Sequence, residues 1–411
     1  MKLAGALALI GAVLCAASPP AKKKAAKPAP VSSAARAAAR SEIEQKIAAV
    51  RETFVNPAAL AGFFDALKKA ATTGAPIHIL QFGDSHTASD DWVNAMRAPM
   101  QAKYGDGGPG FVQAGSPYRG YRRYDAVGRS SAGWKTQGTM AMRGDPDQGL
   151  SGISISTRVP GQTVTLKASG ELLEIYYFRQ PDGGQLQLEA DGEVVDTFTT
   201  DGEAGPGIYS RAMLPGPHEF LLRTLDNAPV RLFGWAIDKT GGDNTGGLTF
   251  ETLGINGAQA NVMLGWNGEI WSDEAARRNP ALVVVAYGTN EANSHTWTAQ
   301  QYRADLTAVV DRIRHAAPAA SVLLIGPPDC GKLKPLLHLS EVSAIQRELA
   351  AKLDVAFWDW RLHMGGPGII KRWVTAGLAQ ADYIHMTGEG YRMSGTLIFE
   401  QLETAAGNTH E

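Results

Sequence analysis

Cysteine is almost absent from this sequence: Cys15 and Cys330 are the two in 411 residues. Cys15 lies in an apolar leader-like segment, so Cys330 is left without a partner. That excludes a disulfide framework and a Cys/His metal cluster. A comfortable transmembrane span is also missing, because the apolar stretch Leu3 to Leu14 is too short. Excess charge of either sign is missing overall, with 39 Lys and Arg against 41 Asp and Glu and a net charge of −2. The balance is uneven, however. Residues 1–40 hold seven basic side chains and no acid, which leaves −9 on the remainder. A body of that sign makes a poor nucleic-acid binder. The glycine-rich segment Gly105 to Gly110 lacks the Gly-Lys-Ser/Thr ending of a phosphate loop. No cofactor or metal is expected.

What is present begins with a leader. Lys2, the apolar Leu3–Leu14 core and the small residues Cys15-Ala16-Ala17 read as a signal peptide over residues 1–17. The expectation is export to the periplasm or cell envelope. Bulky Leu14 disfavours lipidation at Cys15, while Lys22 to Lys24 leave a signal anchor open. Residues 18–40, rich in Ala, Pro and Lys, read as an extended tether. It could rest on an anionic membrane or wall, or be a solvated spacer. Residues 41–75 read as a helical lead-in with apolar positions Ile43, Ile47, Val50, Phe54, Leu60, Phe63, Phe64 and Leu67, split at Asn56-Pro57.

The body alternates between two patterns. Residues 76–144 and 247–411 carry short apolar runs separated by helical periods, which predicts an α/β fold, a three-layer doubly wound parallel sheet. Residues 145–246 lose the helical period. Strands are expected at 153–159, 163–167, 172–179, 185–190, 193–199, 219–224 and 230–238, with a hairpin turn at Asp191-Gly192. That spacing predicts an inserted all-β sandwich or jelly roll. Its aromatic residues Tyr176, Tyr177, Phe178, Phe198 and Trp235 are expected in its core. Tyr118 to Tyr124, an aromatic and basic cluster, has two readings: the lining of a glycan cleft, or an exposed loop.

Three distant segments end in polar residues that suit acyl transfer. Ile77 to Phe82 is an apolar strand followed by Gly83-Asp84-Ser85-His86 and a helical pattern. This strand–turn–helix would expose Ser85 at the carboxyl edge of a parallel sheet, beside free N–H groups. Leu282 to Ala286 is a second buried strand, followed by Tyr287-Gly288-Thr289-Asn290-Glu291, where the Asn290 amide could donate to an oxyanion. Near the carboxyl end, Asp382 and His385 are spaced so that the acid reaches the imidazole and leaves its other nitrogen for a serine proton.

These segments resemble the SGNH, or GDSL-type, hydrolase superfamily. The resemblance implies Ser85 as nucleophile, His385 as base and Asp382 as its orienting acid. It implies an oxyanion hole of Ser85 N–H, Asn290 and a glycine N–H, with Gly257 the first candidate and Gly254 its rival. Gly83-Asp84-Ser85-His86-Thr87-Ala88, the loop Tyr104 to Phe111 and the β-rich stretch before Gly254-Ile-Asn-Gly-Ala258 narrow the resemblance to bacterial peptidoglycan O-acetylesterases, whose SGNH fold is interrupted by a carbohydrate-binding-module-like β-domain. The implied activity is a serine esterase removing O-acetyl groups from a glycan polymer, peptidoglycan first. Two alternatives stand: an O-acetyltransferase using the same residues, and a non-enzymatic wall-binding protein.

Overall fold

The computed structural model describes residues 31–240, 246–331 and 336–408. The signal peptide and residues 18–30 of the expected tether lie outside the described residues. Within them the chain is helical earlier than the tether reading implies. A helix spans Ser33–Ala48, capped by Ser32 Oγ, which accepts from Ala35 N–H. Apart from its buried Ala39 and Ile43 this helix has a thin apolar face, which is why its first turns look like spacer. The lead-in is indeed broken at Asn56, and a second helix runs Ala61–Thr73. Among the described residues no helix is long and apolar enough to cross a membrane.

A five-stranded parallel sheet forms the centre, in the order Leu248–Gly254, Ile77–Gly83, Leu282–Ala286, Ser321–Ile325, Ala356–Trp358. The strands are short and mostly apolar because both of their faces are covered, with polar residues such as Gln81 and Glu251 buried among them. Alternate side chains go to opposite sides. Leu80, Phe82, Val283 and Val285 pack with Trp271, Leu306 and Ile345 on one face. Ile77, Ile79, Leu282 and Val284 pack with Phe63, Met96 and Leu402 on the other. This is the expected three-layer arrangement. The lead-in helix adds to the second face, with Ile43 fully buried and Arg40 paired to Glu389.

Two antiparallel sheets form the β-sandwich. One runs Gly205–Ala212, Leu172–Arg179, Val230–Asp238, Ser154–Thr157, Lys135–Gln137, with Gly110–Gln113 also paired to Val230–Asp238. The other runs Val127–Ser130, Thr163–Ser169, Pro217–Thr224, Gln185–Ala190, Glu193–Thr199. Leu166, Leu188, Phe220 and Leu222 of the second meet Ile175, Leu232 and Trp235 of the first. The Asp191-Gly192 turn has positive φ at both residues, 55° and 89°, as a tight hairpin requires. Sandwich strands begin at Gly110, well before the expected boundary at 145, because the segment after the glycine-rich loop pairs with Val230–Asp238. Tyr177 and Trp235 lie in the sandwich core as expected, with Phe198 partly buried against it, whereas Tyr176 and the partly buried Phe178 pack in the cluster shared with the hydrolase part.

Buried polar joints lock the sandwich to the sheet. Arg278 donates to Asp238 of the sandwich and to Glu251 of the parallel sheet, and its Nη2 lies 3.0 Å from His78 Nδ1. Glu274 Oε2 accepts from Leu150 N–H at 2.5 Å while its Oε1 is buried without a partner. Burial pushes the Glu274 carboxyl up to about 8. A carboxyl raised in this way keeps, in the folded state, a proton that the unfolded chain releases near 4.5. Its contribution to stability is therefore full below about pH 4.5, declines as pH rises and is gone above about pH 8. Glu274→Gln should remove that slope, so that the variant gains on the wild type between pH 5 and 8 by up to about 4 kcal/mol. Urea midpoints across that range provide the measurement, and parallel curves for the two proteins would contradict it.

Candidate active site

The strand Ile77–Gly83 delivers the first group. Gly83 aligns with Ala286 on one side and Gly254 on the other, so three strands end level. A Cβ on Gly83 would lie 2.1 Å from Thr87 Oγ1 and 2.8 Å from the Ala286 carbonyl. One on Gly254 would lie 2.3 Å from Ala88 N. Only with both glycines can the turn Ser85–Ala88 sit directly on the sheet edge. Asp84 caps that turn, its Oδ1 accepting from His86 N–H at 2.9 Å. Burial raises the Asp84 carboxyl to about 6, against the pull of the hydrogen bonds from His86 N–H and the Thr289 side chain.

Ser85 Oγ lies 2.9 Å from His385 Nε2, and His385 Nδ1 lies 2.8 Å from Asp382 Oδ2. The other Asp382 oxygen accepts from the backbone N–H groups of Ile384 and His385. This tight turn uses a left-handed Tyr383, φ 61°. Partial burial alone would raise the Asp382 carboxyl; the hydrogen bonds from His385 and from the Ile384 and His385 amides outweigh it and hold it below its usual range. The three residues the sequence singled out thus form one continuous relay.

A cavity of about 380 Å³ opens over Ser85, bordered by Gly257, Asn290, Ile384 and His385. Asn290 follows Gly288, whose φ of 135° turns the chain after the strand Leu282–Ala286. One Asn290 N–H goes to the Ala258 carbonyl at 2.9 Å. The other has only a long 3.5 Å contact to Asp84 Oδ2, which leaves it open to a stronger acceptor. Gly257, φ 78°, borders the cavity, whereas Gly254 is packed under the Ser85 turn and its carbonyl accepts from Tyr118. Glu291 anchors the Gly257 segment by accepting from Ala260 N–H at 2.7 Å, and burial raises its carboxyl to about 7.

Sequence reasoning gave no role to His86. Its ring is buried 5.3 Å from that of His385, with Nδ1 bonded to Tyr391 Oη at 2.9 Å. Burial, and then the neighbouring His385, lower it to about 3, so it stays neutral beside the relay. Its place directly after Ser85 was the available signal. Much of the Tyr118–Tyr124 cluster is tied into the fold, while Arg119, Arg122 and Tyr124 stay exposed. Arg123 is buried against Asp125 and the Phe111 and Pro109 carbonyls; Arg122 and Tyr124 bond Asp91. These contacts fasten the sandwich to the helix Asp91–Tyr104. Cys330 is a buried free thiol. Among the described residues no group of three His, Cys, Asp or Glu could hold a metal.

The sheet and this relay define the class: a serine ester hydrolase on an α/β scaffold. The GDSL-like lipase/acylhydrolase family model matches residues 228–393, a span that holds Gly257, Asn290, Asp382 and His385 but not Ser85. A solved peptidoglycan O-acetylesterase superposes with a TM-score of 0.72 and 28% identity, over 85% of this chain and 97% of its own. The family-model match and the structural likeness together support the SGNH/GDSL-type hydrolase superfamily. A family two carbohydrate esterase from Cellvibrio japonicus gives a TM-score of 0.30 at 11% identity, over 69% of this chain and 98% of its own. The CBM36-1 domain of a multidomain xylanase from the Trinervitermes trinervoides hindgut metagenome gives 0.19 at 16%, over 21% and 78%. Neither of these two likenesses bears weight. No curated protein matches the sequence significantly.

Gly83→Ala tests the close approach that sets Ser85 on the edge. Thr87 is buried and cannot swing away, so the variant should lose about 1–3 kcal/mol of stability. Its ester turnover should fall as well. Wild-type melting and wild-type turnover together would contradict the packing argument.

Proposed function

We propose that this chain is an exported serine esterase that removes O-acetyl groups from peptidoglycan or a related polysaccharide through an acetyl-enzyme. The observation that carries the reading is the relay Asp382–His385–Ser85 opening into the same cavity as Gly257 and Asn290. The likeness to a peptidoglycan O-acetylesterase supports the choice of polymer. The leader-like residues 1–17 support export.

In this scheme Ser85 Oγ attacks the acetyl carbonyl while His385 Nε2 takes its proton. The N–H groups of Ser85 and Gly257 and the Asn290 amide hold the tetrahedral oxyanion. His385, now protonated and held by Asp382, gives the proton to the departing sugar oxygen. Water then attacks the acetyl-Ser85 ester, with His385 again as base, and acetate leaves. The His385 side chain is 34% exposed and that of Asp382 43%. Water therefore has access to the acetyl-enzyme. A wall-binding protein has no use for an aligned relay.

Ser85→Ala should abolish acetate release from small acetyl esters and from O-acetylated peptidoglycan without changing thermal stability appreciably. Asn290→Ala should lower kcat by about 10²–10³-fold, the usual cost of one oxyanion donor. Acetate assay with the purified variants gives the answer. Substantial turnover by folded Ser85→Ala would sink the serine mechanism. Acetylated acceptor in place of free acetate would turn the reading to transfer.

A further inference from the structure

A second cavity, of about 420 Å³, lies beside the site. One wall is the segment Gly138 to Gln148, which the sandwich presents between its strands Lys135–Gln137 and Ser154–Thr157. The other wall is Gln259 to Trp266 of the hydrolase part. Met140 separates this cavity from the one over Ser85. Its Cγ lies 3.7 Å from where a Cβ on Gly257 would stand, and Gly257 borders the first cavity. A polymer with an acetyl group over Ser85 would therefore lay its neighbouring residue across Met140.

The chemistry of the second cavity is specific. Trp266, nearly buried between Phe82 of the Ser85 strand and Gly152, closes the floor of this cavity with only an edge exposed. Gln148 is 2% exposed, and its Oε1 is buried with no hydrogen-bond donor. Gln148 Nε2 is used internally, on the Asp145 carbonyl. Asp145, the acid on this wall, is neutralised by Arg231 at 2.7 Å. Arg143 is exposed and pairs with no acid among the described residues. What remains is one exposed guanidinium, with no acid beside it, on the wall of a cavity that adjoins the one over Ser85. That combination fits a sugar carrying an anion.

We infer that this cavity is a subsite for the part of the polymer next to the acetyl group, and that Arg143 recognises a carboxylate there, on the acetylated sugar's own substituent or on a neighbouring residue's. The inference rests on the esterase reading and adds its selectivity. The guanidinium suits a carboxylate through paired N–H bonds, and a charge-assisted contact of this kind acts on the polymer rather than on the acetyl group. It also gives the sandwich a definite task, since residues 138–148 supply half of the subsite.

The test uses the full chain and two substrates that differ in one feature. One is an O-acetylated muropeptide oligosaccharide with free carboxylates; the other is the same material with those carboxylates amidated. Wild type should release acetate from the first with about tenfold higher kcat/KM. Arg143→Ala should collapse that ratio to near one, and Arg143→Glu should invert it. Arg143 is exposed, so folding is not at stake; matching melting temperatures will verify this. Equal rates of wild type on both substrates, or a ratio retained in Arg143→Ala, would overturn the subsite and leave the esterase reading intact. Release of acetate from neither substrate by wild type would overturn both.

Discussion

The hydrogen bond from Ser85 Oγ to His385 Nε2 joins groups 300 residues apart, and much of the molecule serves to hold its two ends. On the serine side the constraint is steric: Gly83 and Gly254 let the Ser85 turn descend onto three level strand ends. On the histidine side it is a turn. Gln380 N–H donates to the His385 carbonyl, and Gly331 N–H to that of Tyr383. The lead-in helix braces this region from outside, through Arg40 on Glu389 and Arg372 on Glu42. Precise alignment between remote segments is obtained from packing, not from any covalent link.

Charge is handled in the same spirit. Three carboxyls behind the sheet edge, those of Asp84, Glu291 and Glu274, are all raised by burial, yet each accepts a backbone N–H that fixes a loop. They hold the Ser85 turn, the Gly257 segment and the Leu150 region of the sandwich. Asp382 differs. It stays partly in water and is held ionised by three N–H donors, as an acid must be to stabilise an imidazolium. Position relative to solvent thus separates the carboxyls that shape the site from the one that acts on the histidine.

The site was legible in the sequence because its residues sit where periodicity breaks. Asn290 follows a continuous apolar run and Ser85 a mostly apolar one, each the mark of a buried strand, and strand order then places them on one edge. The hairpin at Asp191-Gly192 was legible for a similar reason, since two positive φ values need such residues. Other parts were hidden. Gly205–Ala212 opens on Gly-Pro-Gly, a turn signature that masks an edge strand. Gly110–Gln113 is too short to show alternation and is fixed only by pairing with Val230–Asp238. The first turns of Ser33–Ala48 carry too few apolar side chains to announce a helix. Nothing in the sequence reports that Asp91, Asp125 and backbone carbonyls take up Arg122, Arg123 and the Tyr124 hydroxyl of the Tyr118–Tyr124 cluster.

The central claim is that Ser85 carries the acyl group, activated by His385. Its most direct test is intact-mass measurement and peptide mapping after reaction with a slowly turned-over acyl ester or an organophosphonate. One adduct per chain is expected, on Ser85, formed much more slowly when His385 is replaced by alanine. An adduct on another residue, or full loss of activity with Ser85 unmodified, would contradict it.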